Sequence, residues 1–526
     1  MYTHDPAESQ FSRRNILVGG VSLATAGAIS MVQGCGSESG TIVNTQTGNN
    51  GLPGGGNNPG PAPGPVPPAF VQPPVQKSAF GILDTSLTVA FATNVVGPQT
   101  INARAYNGIL GGPTLRVRPG DTLRVNVINN LPANPDPVPP NINTPHQFNT
   151  TNLHTHGLHV SPSGNSDNIF VEIQPQGGSF QYEYQIPANH PPGTMWYHPH
   201  KHGSSALQLF SGMAGALIIE GGIDALPEIA AARDLVYLIT ELNITPANPG
   251  LVPNFGPGQA FPQGQRKLLV NGQELPTLQA FSGEVIRLRV INGTVRTTVP
   301  FSIVGHTLNI VSLDGLNLPV TRQAASISLP PAGRADIMIR CGAPGNYAVV
   351  KGQDNTIGNN DAPQNIGQLT VLNTVVNMAL PTNLLPQPHA NIAAGQVNQP
   401  VRNISFDQTS NDGGQPAGFQ NFAVNMIHFN PNVINQTVQL GAVEEWVLTN
   451  SSTNGHPFHI HINPFEVIEV NNVALPQTEW HDTFNIPANG SIRIRHRFED
   501  FTGLFVFHCH ILTHEDLGMM QTVNVV

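Results

Sequence analysis

The feature that most restricts the fold of this chain is an internal repeat. Residues 113–129 align with residues 276–292, and residues 436–450 form a weaker third copy. Each copy reads as a strand, a tight turn and a second strand. A second shared piece follows each copy and leads into a further strand, as at Ile186-Pro187-Ala188-Asn189. The repeat therefore predicts three consecutive domains of one type.

The local pattern predicts that these domains are all-β. Short alternating or apolar runs bounded by Gly, Pro and Asn recur throughout, as at 179–184 and 491–495, whereas long helical periodicity is scarce. Such runs are typical of β-sandwiches. We place the three domains at 77–222, 223–375 and 376–526, and expect the middle one to be a spacer, because its strands lack the histidines found in the other two.

The N-terminus predicts export. Residues 1–35 contain a twin-arginine pattern at Ser12-Arg13-Arg14 and an apolar run over 16–32, so we interpret them as a signal peptide. The run ends near Cys35, in a segment that resembles a lipobox, so Cys35 could carry a lipid anchor. The alternative is simple cleavage nearby. Residues 36–76 read as a disordered linker. We expect a periplasmic protein, or one tethered to the outer face of the cytoplasmic membrane.

The composition excludes several classes of protein. There are 22 Lys and Arg against 32 Asp and Glu, which leaves no basic surface for nucleic acid. Only three cysteines occur, so a scaffold held by many disulfides is excluded. Apart from the signal, no apolar stretch is long enough to cross a membrane. We expect a monomer.

Ten of the 20 histidines fall into four short clusters. Any one His-X-His pair on a strand is weak evidence, since two histidines on the same face can be surface or core residues. Four such clusters together indicate metal. Imidazole and thiolate suit copper, zinc or iron, and the carboxylate sets typical of magnesium or calcium are missing. The clusters are His154 and His156; His198 and His200; His456, His459 and His461; and His508, His510 and His514 with Cys509.

The tripeptide His508-Cys509-His510 favours a redox metal over zinc. Successive side chains on a strand point to opposite faces, so two imidazoles would serve one site and the thiolate another. Such a strand is an electron bridge, which zinc could not use. The thiolate needs two histidines and a weak axial sulfur, the trigonal arrangement of blue copper. His456, His514 and Met519 can complete that set.

The four clusters, in this order, resemble the copper signatures of the multicopper oxidases over roughly residues 80 to 526. The resemblance implies three cupredoxin-like Greek-key β-sandwiches and four copper ions. It also implies a trinuclear cluster between the first and third domains. The implied type 1 ligands are His456, Cys509, His514 and Met519. The implied type 2 ligands are His154 and His459, and the implied type 3 ligands are His156, His198, His200, His461, His508 and His510.

Two carboxylates resemble the proton relays of the family. Reduction of dioxygen to water consumes four electrons and four protons, so acids are expected near the cluster. Glu515 directly follows His514, and Asp167 follows the first histidine pair. The alternative for each is a structural or surface carboxylate.

Three functions are compatible with the sequence. The first is a laccase-like oxidase that takes single electrons from phenols or aromatic amines and passes them to dioxygen. The second is a metallo-oxidase of Cu(I), Fe(II) or Mn(II), and the third is a non-catalytic envelope protein of the same fold. The complete ligand set argues against the third. Residues 376–425 contain a single methionine, Met378, rather than the methionine-rich insertion of bacterial cuprous oxidases, which favours a small organic substrate.

Overall fold

The computed structural model describes residues 67–244, 265–356, 361–415 and 419–526. These residues belong to one compact unit. The predicted signal, the predicted anchor at Cys35 and the predicted linker up to residue 66 lie outside the described residues. No helix in the described part of the chain is long and apolar enough to cross a membrane.

The first sandwich contains nine strands and the helix α1. Its elements are β1 (Val75–Lys77), β2 (Ile82–Val96), β3 (Gln99–Tyr106), β4 (Thr114–Val117), β5 (Thr122–Asn129), β6 (His154–His156), β7 (Gly178–Gln185), β8 (Gly193–His198), α1 (Ser205–Phe210) and β9 (Gly215–Ile219). The strands form one sheet in the order β1-β4-β9-β8-β6 and a second in the order β3-β2-β5-β7.

The middle sandwich repeats this plan, with eleven strands among its described residues. Its elements are α2 (Pro227–Ala230), β10 (Arg233–Ile244), β11 (Gln265–Val270), β12 (Thr277–Ser282), β13 (Val285–Gly293), β14 (Val299–Ile303), β15 (Leu308–Leu313), β16 (Leu316–Ala324), β17 (Ile327–Leu329), β18 (Arg334–Arg340), β19 (Gly345–Lys351) and β20 (Gln364–Val375). The two sheets run β11-β10-β13-β18-β15-β16 and β12-β20-β19-β14-β17.

The described part of the third sandwich also has eleven strands. Its elements are β21 (Arg402–Asp407), β22 (Ala423–Val424), β23 (Gln436–Val438), β24 (Val443–Asn450), β25 (His456–Ile460), β26 (Phe465–Val470), β27 (Val473–His481), β28 (Thr483–Ile486), β29 (Gly490–Arg497), β30 (Gly503–Cys509), α3 (Leu512–Glu515) and β31 (Met520–Val525). Its sheets run β22-β21-β24-β29-β26-β27 and β23-β31-β30-β25-β28.

The predicted fold class, all-β with three cupredoxin-like sandwiches, is confirmed. In each sandwich, buried apolar residues of both sheets form one core. In the third, Trp446 of one sheet and Phe507 of the other are fully buried, with ring centroids 5.5 Å apart. Neighbouring strands are often non-consecutive in the chain, so many connections pass from sheet to sheet.

The three repeat copies share a physical basis at two positions. The turn between the strands places a glycine at positive φ, where a Cβ would be strained. The strand after the turn has, at its last or second-last residue, a buried asparagine whose amide donates to backbone carbonyls of neighbouring segments and whose Oδ1 accepts the N–H two residues later. The residues are Gly120 and Asn129, Gly283 and Asn292, and Gly441 and Asn450.

The end of the predicted linker is ordered, which corrects the sequence-based boundary at residue 76. The Phe70 ring stacks on Tyr237 of the middle sandwich at 5.8 Å. The Gln72 side chain exchanges two hydrogen bonds with the backbone of Val236. Strand β1 then pairs with β4. The composition predicted disorder because this segment has little apolar surface of its own, but its Phe70 ring packs against the core of the middle sandwich.

The histidine clusters occupy equivalent strand pairs of the first and third sandwiches. Strand β6 pairs with β8, which places His154 opposite His198. Strand β25 pairs with β30, which places His459 opposite His508. The equivalent middle pair, β14 and β19, carries Phe301 opposite Lys351 and contains no histidine.

Candidate metal centre

Eight histidines from the first and third sandwiches lie together at the interface between them. The rings stack across it, with centroids 3.9 Å apart for His154 and His461 and 3.8 Å apart for His156 and His459. All eight side chains are buried. We call this set the histidine cluster; it comprises His154, His156, His198, His200, His459, His461, His508 and His510.

The ring nitrogens of the histidine cluster converge as metal ligands do. His200 Nε2 lies 3.1 Å from His508 Nε2 and 3.2 Å from His461 Nε2. Buried polar atoms normally have hydrogen-bond partners. Several nitrogens of the cluster nevertheless find none among the described residues: His154 Nε2, His156 Nδ1, His198 Nε2, His459 Nε2 and His510 Nε2. Metal ions would satisfy such atoms, so the residues present fit a metal centre.

A second convergent set, the cysteine site, lies within the third sandwich and comprises His456, Cys509 and His514. The Cys509 Sγ lies 3.5 Å from His456 Nδ1 and 3.7 Å from His514 Nδ1, and the two nitrogens are 3.3 Å apart. Met519 is fully buried and belongs, like Cys509, to the core of this sandwich. Burial raises the pKa of the Cys509 thiol, so metal binding there must displace a proton.

The two sites share strand β30, as the alternation of side chains requires. Cys509 lies in the core of the third sandwich, whereas the His508 and His510 rings, 5.3 Å apart, lie in the histidine cluster. The thiol of one site is therefore a few covalent bonds from two imidazoles of the other.

The two sites differ in access. In the cysteine site, His456 is buried and its Nε2 is 2.9 Å from Ser452 Oγ, whereas His514 is partly exposed. The Phe422 ring stacks on His514 at 3.8 Å and covers one of its faces. The histidine cluster is approached by a cavity of about 290 Å³ that has His200, Lys201, Glu172 and Met520 in its wall.

Glu515 lies directly behind two histidines of the cluster. Its carboxylate oxygens are 3.4 Å from His200 Nδ1 and 3.2 Å from His508 Nδ1, and Ser205 Oγ donates to it at 3.1 Å. Burial, with the charge of Asp516 beside it, raises the pKa of Glu515 well above its ordinary value. The Glu515 carboxyl therefore lies in a position from which it can transfer a proton to the histidine cluster.

Asp167 lies behind a different histidine. Its Oδ2 is 2.9 Å from His154 Nδ1, and its Oδ1 accepts a hydrogen bond from the Thr155 backbone at 2.9 Å. Burial raises the pKa of Asp167 to about 7. Both predicted acids therefore contact the histidine cluster, at different histidines.

Three charged residues near the cluster were not predicted. Asp516 accepts hydrogen bonds from the backbone of Gly203 and Ala206, at 2.7 and 2.9 Å, and so orients the start of α1. Asp482 and Arg334 form a buried ion pair beside His156. The position of Asp516 directly after Glu515 is a sequence signal that could have identified it. Arg334 has no such signal, because it belongs to the middle sandwich, whose lack of histidines predicted a spacer.

A buried histidine next to this region predicts a pH-dependent stability. His481 Nδ1 is 2.8 Å from Asp314 and Nε2 is 3.3 Å from Glu479. Burial opposes its protonation, but these carboxylates outweigh burial and raise the pKa of His481 to about 9. A raised folded-state pKa contributes stability that is fully present below the unfolded value of about 6.5 and is lost as the pH rises through about 9.

We therefore expect the free energy of unfolding to fall between about pH 6.5 and pH 9, by at most about 3 kcal/mol from this residue. The measurement is a denaturant midpoint across that range for the protein and for His481→Gln. The variant should show a weaker pH dependence. His306→Gln is the control, since His306 bonds only to the backbone of Val304 and Gly342. An equal pH dependence in the protein and His481→Gln would refute the assignment.

Comparison with known proteins decides the family. Multicopper oxidase domain models match residues 142–222, 242–374 and 399–526. The chain belongs to the multicopper oxidase family.

Its relatives span most of its length. The multicopper oxidase mco of Staphylococcus haemolyticus is 28% identical over 442 residues, which cover 81% of this chain and 84% of that protein. The laccase of Bacillus subtilis is 27% identical over 476 residues, covering 80% and 89%. A solved multicopper oxidase of Campylobacter jejuni, described as a metallo-oxidase, has a TM-score of 0.73 and 25% identity, covering 88% of this chain and 96% of that one.

Family membership gives this multicopper oxidase its general chemistry. It is a copper-dependent oxidase that uses dioxygen. The metal that suits the two convergent sets of nitrogen and sulfur atoms is therefore copper.

Proposed function

We propose that this multicopper oxidase takes single electrons from a small organic reductant at the cysteine site and reduces dioxygen to water at the histidine cluster. His456, Cys509, His514 and the axial Met519 would hold a type 1 copper. The cluster would hold a type 2 copper on His154 and His459, and a type 3 pair on His156, His198, His200, His461, His508 and His510. The observation that carries the proposal is the sharing of strand β30 by the two sites.

The bound coppers would supply one-electron redox chemistry at the cysteine site and binding of dioxygen at the cluster. The protein supplies the rest. The partly exposed His514 offers the route by which a substrate electron enters, since His456 is buried. The covalent backbone from Cys509 to His508 and His510 connects that entry point to the cluster. Glu515 and Asp167 hold protons beside the cluster histidines, and four electrons and four protons convert each dioxygen to two waters.

An organic substrate is favoured by the absence of a thioether surface over the described residues of 376–425. The single methionine there, Met378, is turned into the protein: its sulfur accepts a hydrogen bond from the Val285 backbone at 3.4 Å. It also packs against a small core of the middle sandwich. Oxidation of Cu(I), Fe(II) or Mn(II) is the second candidate, because the structurally similar Campylobacter jejuni enzyme is described as a metallo-oxidase.

The test is to reconstitute the protein with copper, count copper per chain, and compare oxygen uptake with a phenol, Cu(I) and Fe(II). We expect four coppers, an intense blue absorption and fastest uptake with the phenol. Faster uptake with a metal ion would move the assignment to the second candidate. Fewer than four coppers, or no blue absorption, would contradict the proposal and favour a non-catalytic role.

We also propose that the protein acts as an exported monomer, either free in the periplasm or anchored through Cys35. The twin-arginine pattern and the lipobox-like segment support this placement. Mass spectrometry of the mature N-terminus distinguishes an acylated Cys35 from simple cleavage.

The axial sulfur leads to a prediction about potential. A thioether donates more electron density to the oxidised copper than an alkyl side chain does, so Met519→Leu should raise the potential of the cysteine site. We expect a rise on the order of 60 mV, a tenfold change in the one-electron equilibrium. Redox titration of the blue absorption measures it, with Met520→Leu as the neighbouring control. A lower potential in Met519→Leu would show that Met519 is not the axial ligand.

A further inference from the structure

A buried ion pair links the middle sandwich to the histidine cluster. Arg334, at the start of β18, has a fully buried side chain. Its Nη1 and Nη2 donate to Asp482 Oδ1 and Oδ2, each at 2.6 Å. Asp482 lies between β27 and β28 of the third sandwich. This two-point contact uses the planar fork of a guanidinium, which a lysine cannot reproduce.

Asp482 and the next residue contact two histidines of the cluster from outside. Asp482 Oδ1 lies 3.1 Å from His156 Nε2, and the Asp482 backbone carbonyl lies 2.8 Å from His459 Nδ1. Thr483 Oγ1 is 3.2 Å from His156 Nε2 and donates to Asp482 Oδ1 at 3.0 Å. Residues 482 and 483 thus provide hydrogen-bond partners for His156 Nε2 and His459 Nδ1, the ring nitrogens that point away from the cluster.

These hydrogen bonds determine which nitrogen of each ring is free to bind metal. When His156 Nε2–H donates to Asp482, its lone pair is on Nδ1; when His459 Nδ1–H donates to the Asp482 carbonyl, its lone pair is on Nε2. Those two nitrogens are the ones that lack partners among the described residues. Outer partners of this kind fix the tautomer and the orientation of metal-binding imidazoles.

Arg334 is itself held by all three sandwiches. Its Nε donates to the Thr194 carbonyl of β8 at 3.3 Å, and its Nη1 donates to the Ala332 carbonyl at 3.2 Å. Its backbone N–H donates to Asp314 Oδ1 at 2.9 Å. Arg334 also compensates the charge of the buried Asp482 carboxylate, which would otherwise be strongly disfavoured.

We propose that Arg334 is a positioning residue for the copper cluster: through Asp482 it sets the tautomer and orientation of His156 and His459. The middle sandwich is then a working part of the site, although it contributes no ligand. This inference rests on the proposed function, because it takes His156 and His459 to be copper ligands.

The experiment compares Arg334→Met, Arg334→Lys and Asp482→Ala in the copper-loaded full chain. Copper per chain and the type 2 paramagnetic signal are measured after dialysis against a graded chelator, and the blue absorption is followed in the same samples. Arg340→Met is the control, since Arg340 lies on the same strand but is exposed, and its side chain donates a hydrogen bond to Asn377 Oδ1, away from the cluster histidines.

We expect Arg334→Met to lose cluster copper at roughly 10- to 100-fold lower chelator concentration, the usual effect of removing such a partner. Its type 2 signal should change while its blue absorption and its anaerobic reduction by substrate stay as in the parent. Arg334→Lys should recover part of the retention. In the Asp482→Ala background, Arg334→Met should cause no further loss, because Arg334 acts through Asp482.

Unchanged copper retention in Arg334→Met would overturn the inference. So would equal loss of both copper sites, which would assign Arg334 to general packing of the sandwiches. If Arg334→Met does not fold, Arg334→Lys and Asp482→Ala decide the matter by the same two readouts. A parent protein that holds no copper at the cluster would instead refute the proposed function, whatever the variants do.

Discussion

Cys509→Ser should lose the blue absorption and lower substrate-driven oxygen uptake by roughly 10³-fold or more, the scale expected when an indispensable group is removed. A hydroxyl is a poor replacement for a thiolate that both binds copper and conducts its electrons. Absorption spectroscopy and oxygen uptake measure the two effects. Cys341→Ser is the matched control, because Cys341 is also a buried free cysteine but lies in the core of the middle sandwich.

The same variant should keep the copper of the histidine cluster. The Cys509 side chain lies in the core of the third sandwich, and its replacement leaves His508 and His510 in place. Paramagnetic resonance should therefore still show the type 2 signal. Loss of both sets of copper signals in Cys509→Ser, or survival of the blue colour, would contradict the division into two sites.

Glu515→Gln should slow reoxidation of the reduced enzyme by dioxygen by roughly 10²-fold or more, the usual contribution of a positioned acid or base. Glutamine keeps the shape of the side chain beside His200 and His508, but its amide does not titrate and so cannot deliver a proton. Electron entry at His514 does not involve this carboxyl, so anaerobic reduction of the cysteine site should keep its rate. Stopped-flow absorption separates the two steps.

Glu499→Gln provides the control for Glu515→Gln, because Glu499 is exposed on the third sandwich. It should leave both steps unchanged. An undiminished rate of reoxidation in Glu515→Gln would show that the proton comes from elsewhere, with Asp167 as the next candidate. Slower electron entry in Glu515→Gln would instead indicate that the substitution disturbs the ligands.

Patterns within short segments predicted much of the fold and of the site, because turns and strands are specified by residues that are close in the sequence. The repeat predicted three sandwiches through a turn glycine and a strand that ends at a buried asparagine, as at Gly120 and Asn129. The alternation along His508-Cys509-His510 predicted the separation of thiol from imidazoles, since the period of a strand is fixed by backbone geometry.

The remaining residues of the site could not be predicted, because their positions depend on contacts between segments that are distant in the sequence. Strand β28 pairs with β25, which brings Asp482 and Thr483 to the cluster. The sequence of residues 481–483 alone does not predict this pairing. Arg334 was missed for a related reason. Its importance comes from a contact between sandwiches, and histidine content gave no indication of it. The ordered end of the linker likewise depends on a surface of the middle sandwich that composition does not describe.

The histidine cluster draws its members from the first and third sandwiches, with contacting histidines such as His200 and His508 separated by 308 residues, and this has a consequence for the order of assembly. A polypeptide is synthesised from its N-terminus, so His154 and His156 emerge long before His508 and His510. When the first sandwich has been made, only four of the eight cluster histidines are present: His154, His156, His198 and His200. Strands β25 and β30 of the third sandwich, with the residue that follows each, supply the other four. The complete ligand set therefore exists only after the third sandwich has been made, and an ion that binds to it joins the first and third sandwiches, which increases the free energy of unfolding.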